Sequence, residues 1–263
     1  MILNSSLKES DIEVDRKTVD SFLELNEDNK LNDIAFVIPA YKEKDNIENV
    51  IKFLPEKLIG HTCSTVVVVD GDDDGTAQIS KSLGALIAIA PVNRGQGAAL
   101  RTGYIISKQF GAKFIVTIDG DGQCNPNDIA GVLEPIVDGC CDLVLGSRIK
   151  GTNNTTDRTR NLGVTVFARI ISVLCGQYLT DTANPLRAMT AEFANSITLT
   201  QNQFQASEVI IDALLGGYRV TERPMTMNKR MSGKSKKGKN LSYGLNYSKA
   251  ILNTYFREKL KLL

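Results

Sequence analysis

Three short apolar runs, Ile34–Ile38, Thr65–Val69 and Ile115–Ile118, each stop abruptly at a polar loop. Continuous runs of this length, rich in Val and Ile, read as strands buried on both faces. Such strands belong to a mainly parallel sheet with helices on either side. The loops that end them share a character. Pro39 stops the first run, and Ala40-Tyr41-Lys42-Glu43-Lys44-Asp45-Asn46 follows. The second ends at Asp70-Gly71-Asp72-Asp73-Asp74-Gly75-Thr76, and the third at Asp119-Gly120-Asp121-Gly122-Gln123. Ligands of open α/β sheets bind at the carboxyl ends of the strands. Asp and Gly are also ordinary turn residues. A single Asp-Gly loop therefore says little, but several at successive strand ends describe a pocket.

The segments between the runs carry helical patterns. Ile47, Val50, Ile51 and Leu54 follow a cap at Asp45 or Asn46, and helices are expected over Thr76–Leu83 and Ala98–Phe110. A strand at Ala85–Ile89 and the loop Pro91–Gly97 lie between those two helices. This alternation predicts βαβ units. Further on, a helix is expected over Pro126–Val137 and a strand over Asp142–Gly146. The polar stretch Gly151–Thr159 reads as a mobile loop, a candidate lid. An apolar helix over Leu162–Cys175 follows, with Arg158 and Arg160 before it as either anion-facing or solvated arginines. Then come the loop Asp181–Arg187, a helix over Ala206–Leu215 holding Glu208, and a late edge strand Arg219–Met225. Residues 1–32 read as an N-terminal extension with one short, loosely held helix through Val19, Phe22, Leu23 and Leu25. Residues 33–228 form the main domain, and 229–263 a basic loop plus an amphipathic helix.

The pair Asp119 and Asp121 repels itself unless a cation or proton intervenes. Oxygen ligands without nearby His or Cys favour Mg²⁺ or Mn²⁺ over Zn²⁺. The pair therefore reads either as a divalent-metal clamp for a diphosphate or as a turn. No GxGxxG follows the first strand and no GxxxxGK[ST] occurs, so a metal rather than a phosphate loop would neutralise a diphosphate. Cys124, next to Gln123, reads as a bystander thiol. The five cysteines show no metal spacing and suggest reduced thiols in a cytoplasmic setting. The start lacks the basic region and apolar core of a signal peptide, and no stretch has the length and apolarity of a membrane span. A net charge of +1 gives no overall pull towards nucleic acid.

Lys229–Asn240 is basic, punctuated by glycine and free of acids. It reads as a solvated segment, a phosphate clamp or a lipid-docking patch. In the final helix Leu245, Leu252, Tyr255, Phe256 and Leu260 form one broad face, with Lys249, Arg257, Lys259 and Lys261 around it. That face either packs on the core or lies in a membrane interface.

Four pieces together resemble the family 2 glycosyltransferases of GT-A fold, and within them the dolichyl/polyprenyl-phosphate mannose synthase group. Val37–Glu43 is similar to the family's VIPAYNE, Asn93–Gly103 to N-x-G-x-G-A-A-x-R-x-G, Asp119–Gln123 to D-x-D-x-Q, and Arg230–Lys236 to R-x-x-G-x-S-K. The resemblance runs from about Ile34 to Lys236. It implies an α/β GT-A fold, a Rossmann-like nucleotide-diphospho-sugar transferase with a mainly parallel central sheet flanked by helices. It implies that Pro39, Ala40, Tyr41 and Glu43 line the base and ribose pocket, and that Asp70 or Asp72 meets the base. Gly97 and Arg101 would lie near the nucleotide, and Gly120 on the donor side. Asp119, Asp121 and Gln123 would hold Mg²⁺ or Mn²⁺. Arg148, Arg187 and Arg230, with Ser235 and Lys236, would surround the phosphates of donor and acceptor. Two segments depart from the family. The loop Asp70–Thr76 is one residue shorter than VDDGSTDGT allows. Asp181-Thr182-Ala183-Asn184-Pro185-Leu186-Arg187 keeps only the ends of D-x-T-S-G-F-R.

The implied activity is metal-dependent inverting transfer of a sugar from a UDP- or GDP-sugar to a polyprenyl phosphate. An anionic acceptor needs no strong base, whereas a hydroxyl acceptor needs one, for which Asp181 and Glu208 are candidates, each equally readable as the partner of a nearby arginine. The alternatives are a soluble transferase to a small hydroxyl or phosphorylated acceptor and a non-catalytic sugar-nucleotide-binding protein. The intact acid pair argues against the last. Contact with the cytoplasmic membrane face would come through residues 229–263 or a membrane partner subunit.

Overall fold

The computed structural model describes residues 7–26, 30–71, 73–155, 158–197, 199–230 and 241–261. Its elements run α1 (Glu9–Leu25), β1 (Ile34–Ala40), α2 (Ile47–Lys52), β2 (Lys57–Leu58), β3 (His61–Asp70), α3 (Thr76–Ser82), β4 (Leu86–Ala90) and α4 (Gln96–Gln109). There follow β5 (Phe114–Thr117), a 3-10 turn at Pro126–Asp128, α5 (Ile129–Val137), β6 (Leu143–Asn153) and α6 (Arg158–Cys175). The chain closes with β7 (Arg187–Thr190), α7 (Ala191–Ser196), α8 (Gln205–Leu215), β8 (Val220–Met227) and α9 (Leu241–Lys261).

Among the described residues one sheet runs in the order β2-β3-β1-β5-β7-β6-β8, with β4 also on β3. β1 lies parallel to both neighbours, Val37 opposite Val66 and Thr117. Strand alternation splits its side chains between two faces. Ile34, Phe36 and Ile38 join Ile129, Val132, Leu133 and Ile136 of α5 in one cluster. Val37 points into a second cluster with Leu100 and Tyr104 of α4 and Val209 of α8. Ala35 packs in a third with Val19 and Phe22 of α1. The sheet is therefore covered on both faces, which is why its central strands read as continuous apolar runs.

β1 runs through Pro39 to Ala40 where the sequence reading stops it, and in four further elements the structure differs from that reading or decides between its alternatives. α1 is not loosely held: Val19 and Phe22 are buried, and Phe22 stacks on Phe110 with ring centroids 5.0 Å apart. β7 lies antiparallel between β5 and β6. Its four residues, one of them charged, are too few to show a strand period. β6 continues to Asn153 alongside β8, with a register shift between Ser147 and Thr152, so the first three residues of the expected lid, Gly151, Thr152 and Asn153, are strand. In α9 the buried residues are Tyr247, Ala250, Ile251 and Thr254, whereas Leu245, Leu252, Phe256 and Leu260 are exposed. The helix packs on α8 through a face set by ion pairs. Arg257 lies 2.9 Å from Glu208 and 3.1 Å from Asp212. Fixing that cation fixes the rotation of the helix.

Candidate active site

Asp119 and Asp121 follow the end of β5, where the sheet delivers them to its carboxyl edge. Both carboxylates meet side-chain N–H donors, one a neutral amide and one a guanidinium. Gln96 Nε2, at the start of α4, donates to Asp119 Oδ1. Arg230 Nη2 donates to Asp121 Oδ2 at 2.6 Å, and its Nη1 is 3.8 Å from Glu43 Oε1. The Gln123 amide N–H donates to Asp121 Oδ1 at 3.1 Å, which closes the turn. Gln123 Nε2 donates to the carbonyl of Asn228 at 3.0 Å, tying this loop to the exit of β8. Buried Cys124 stays a thiol, because burial, then the charges of Asp119 and Asp121, push its pKa up.

The strand ends of β1 and β3 build the adjoining wall. Pro39 and Ala40 pair in register with Val68 and Val69. The Glu43 amide donates to Thr76 Oγ1 at 3.1 Å, and Asn46 Nδ2 donates to Glu43 Oε2 at 2.9 Å. A Cβ on Gly120 would lie 3.5 Å from Glu43 Cγ, so the two loops touch. Asp70 has a different task. Its Oδ1 accepts from the Arg94 amide at 3.0 Å and its Oδ2 from the Gly95 amide at 2.6 Å. Burial pushes its pKa up and the two amides oppose that shift. Both oxygens thus clasp the β4–α4 loop instead of presenting to solvent. Gly71, at φ +87°, passes so close to the Asn93 backbone that a Cβ would collide. Gly97 donates to the Asn202 carbonyl at 2.8 Å, and a side chain there would strike the 201–202 backbone.

Arg101 departs from its expected place near the nucleotide. Its guanidinium is buried against Asp15, with Nε donating to Oδ2 at 2.7 Å. Asp73 and Asp74 are used locally. Asp73 Oδ1 accepts from the Gly75 and Ala77 amides, and Asp74 Oδ1 accepts from Thr76 Oγ1. Asp72, Ser235 and Lys236 lie outside the described residues.

On the far side, β6 and β7 carry the arginines. Arg148 donates through Nε to Asp181 Oδ2 at 2.6 Å and through Nη2 to Oδ1 at 3.1 Å. This bidentate pair is buried on both sides. Glu222 of β8, which sequence reasoning passed over, accepts from the Thr180 and Asp181 amides at 2.8 Å each and so supports the pair. Only its alternation within a late strand hinted that it faces inward. Arg187 sits opposite Thr117 of β5, two residues before Asp119. Burial pulls its pKa down, opposed by Tyr104, Tyr247, Asp181 and Asp119. Among the described residues its Nε finds no hydrogen-bond partner. Glu208, the other candidate base, accepts from the Thr200 and Gln201 amides and from Arg257. It is buried structure.

The residues present fit a hard divalent cation. Arg230 already sets a positive charge on Asp121, which shows what the site demands. Among the described residues no group of three or more His, Cys, Asp or Glu gathers as a closed cage. That suits Mg²⁺ or Mn²⁺, which bind through one or two carboxylates and complete their shell with water and substrate phosphates.

A family model described as glycosyl transferase family 2 matches residues 35–197. A UDP-N-acetylglucosamine–dolichyl-phosphate N-acetylglucosaminyltransferase of Methanococcus voltae is 32% identical over 221 residues, 73% of this chain and 84% of that protein. A dolichyl-phosphate hexose transferase of Haloferax volcanii is 29% identical over 231 residues, 88% of this chain and 97% of that one. Glucosyl-3-phosphoglycerate synthase from Mycobacterium tuberculosis, solved with Mn²⁺, UDP and glucosyl-3-phosphoglycerate, superposes with a TM-score of 0.62 at 16% identity, covering 98% of this chain and 86% of that one. That likeness speaks for the GT-A fold. The acid pair at the carboxyl edge of a mainly parallel sheet, the family match and the similarity to dolichyl-phosphate sugar transferases lead to one conclusion: the chain belongs to glycosyl transferase family 2 and is a glycosyltransferase.

Proposed function

We propose that the enzyme moves a sugar, with inversion, from a UDP- or GDP-sugar to a polyprenyl phosphate, with Mg²⁺ or Mn²⁺ on the donor diphosphate. The carrying observation is the state of the two carboxylates that a hydroxyl acceptor would need as bases. Asp181 is saturated by Arg148, and Glu208 by backbone amides and Arg257. An acceptor that arrives ionised needs neither. Its oxygen attacks the anomeric carbon while the nucleoside diphosphate leaves from the opposite face.

In this reading Pro39, Ala40, Tyr41, Glu43, Gly97 and Gly120 line the donor pocket. Asp119 and Asp121 hold the cation, with Gln123 beside them, and Lys236 reaches the donor phosphates. The bound metal supplies Lewis-acid stabilisation of the leaving diphosphate. Arg230, 2.6 Å from Asp121 Oδ2 and 3.8 Å from Glu43, would then be the cation nearest the donor phosphates. Arg187 and Arg148 place positive charge against the acceptor phosphate, where exclusion of water strengthens it.

The site works at the cytoplasmic membrane face. Among the described residues no helix is long and apolar enough to cross a membrane. α9 exposes Leu245, Leu252, Phe256 and Leu260, and neighbouring α6 exposes Leu162, Val166 and Val173. Lys249 and Lys259 flank the α9 stripe, the composition of an interfacial surface. This surface, or a membrane partner subunit, brings the enzyme to its lipid.

The test is radiolabel transfer from a panel of UDP- and GDP-sugars into butanol-extractable lipid, with and without EDTA. Label in lipid, abolished by EDTA and restored by Mn²⁺, is expected. Label confined to a water-soluble acceptor would overturn the reading.

A further inference from the structure

Helix α1 lies outside the segment that matches the family model, residues 35–197, yet it holds a fully buried carboxylate. Asp15 accepts from Arg94 Nη2 at 2.6 Å, from Arg101 Nε at 2.7 Å and Nη2 at 3.2 Å, and from Thr102 Oγ1 at 3.2 Å. One turn earlier, Asp11 Oδ1 accepts from Arg94 Nη1 and from Asn202 Nδ2, both at 3.3 Å. α1 does not depend on these pairs to stay in place. Its C-terminal half is pinned separately: Phe22 stacks on Phe110, Ser21 Oγ accepts from the Ile89 amide at 2.8 Å, and Asn26 Oδ1 accepts from the Ile87 amide at 2.9 Å.

What Asp15 does hold is the loop beside the acid pair. The Arg94 and Gly95 amides lie on Asp70, the Gly97 amide on the Asn202 carbonyl, and Gln96 reaches Asp119. Arg94 and Arg101 enter this region as two like charges with side chains only 9% and 7% exposed. Without a buried anion between them they repel each other, and each seeks water. The loop that carries Gln96 follows Arg94.

We infer that Asp15 is a positioning residue for donor binding: from an added N-terminal helix it neutralises Arg94 and Arg101 and so keeps the 93–97 loop, with Gln96, against Asp119. The inference rests on the nucleotide-sugar reading of the site.

The experiment compares wild type, Asp15→Asn and Phe22→Leu. Phe22→Leu trims α1 packing away from the loop and serves as the control for a merely structural effect. UDP and GDP are titrated calorimetrically in the presence of Mn²⁺, and amide hydrogen exchange is followed. Asp15→Asn is expected to weaken nucleotide binding by about tenfold or more, with faster exchange confined to the Arg94, Gly95 and Gly97 amides. Phe22→Leu should change neither. If wild type binds and Asp15→Asn matches it in affinity and exchange, the inference is overturned while the donor reading stands. Equal weakening in Phe22→Leu also overturns it. Should wild type bind neither nucleotide, the donor reading falls and the inference with it. Should Asp15→Asn fail to fold, Asp11→Asn decides. It loosens Arg94 and Asn202 alone, so affinity down about threefold with faster Arg94 exchange supports the inference, and no change in either overturns it.

Discussion

Two strands of this sheet end in Asp-Gly, and the two aspartates do opposite things. Asp70, the last residue of β3, places both oxygens on the backbone amides of the loop facing it. Asp121, after β5, meets a guanidinium at 2.6 Å from a segment 109 residues away. The difference lies in what comes opposite. The β4–α4 loop turns its amides towards Asp70, so the carboxylate is neutralised by dipoles and becomes architecture. Beyond β5 it is mainly side chains that meet the acids, Gln96 on Asp119 and Arg230 on Asp121, with the Gln123 amide as the one backbone donor to Asp121 among the described residues. Asp181 is a third case: it meets a buried arginine and its role is to hold that arginine still.

Four substitutions break or sharpen this contrast, and the largest effect belongs to the third case. Asp181→Ala strands Arg148 without its counter-charge and is expected to cost about 4 kcal/mol in urea unfolding. A loss of activity with stability intact would instead make Asp181 a base. Asp121→Asn should lower kcat about a hundred- to a thousandfold and leave the unfolding midpoint nearly unchanged, as measured by single-turnover transfer and thermal melts. Unchanged turnover would sink the metal clamp. Asp70→Ala leaves two amides unpaired and should cost about 2 kcal/mol. Equal stability with lost donor binding would reverse the assignment and make Asp70 a reader of the base. Leu252→Ser on the exposed stripe of α9 should stay within about 0.5 kcal/mol of wild-type stability. It should nevertheless reduce sedimentation with anionic vesicles, and unchanged sedimentation would move the membrane contact elsewhere.

Much of the N-terminal half of the sheet was legible because its signals are local. A strand buried on both faces must be continuously apolar, so β1, β3 and β5 announced themselves, and the acids at their ends fell on one edge. The half around β6, β7 and β8 was harder. β7 is four residues long and starts with arginine. Its pairing with β5 and β6 depends on chain that passes through α6 first. Arg148 and Asp181 were both marked as site residues, yet nothing in their spacing says that they close on each other. Glu222 carried no mark at all. α9 showed an apolar stripe by periodicity, and the structure turned most of that stripe outward, because Arg257 finds Glu208 and Asp212 on α8.

Sequence alone was enough for the α/β architecture and for setting Asp119 and Asp121 just past the carboxyl end of a central strand. These depend on apolar periodicity and on which residue types stand at strand ends, and both are written within a few residues. Tertiary structure alone decided that Asp70 clasps the facing loop while Asp121 meets Arg230, that Arg101 pairs with Asp15, and that the N-terminal helix is tied through Asp15 to Arg94 in the loop before α4. A buried charge takes the nearest opposite charge or amide that the fold brings to it, whatever the separation along the chain.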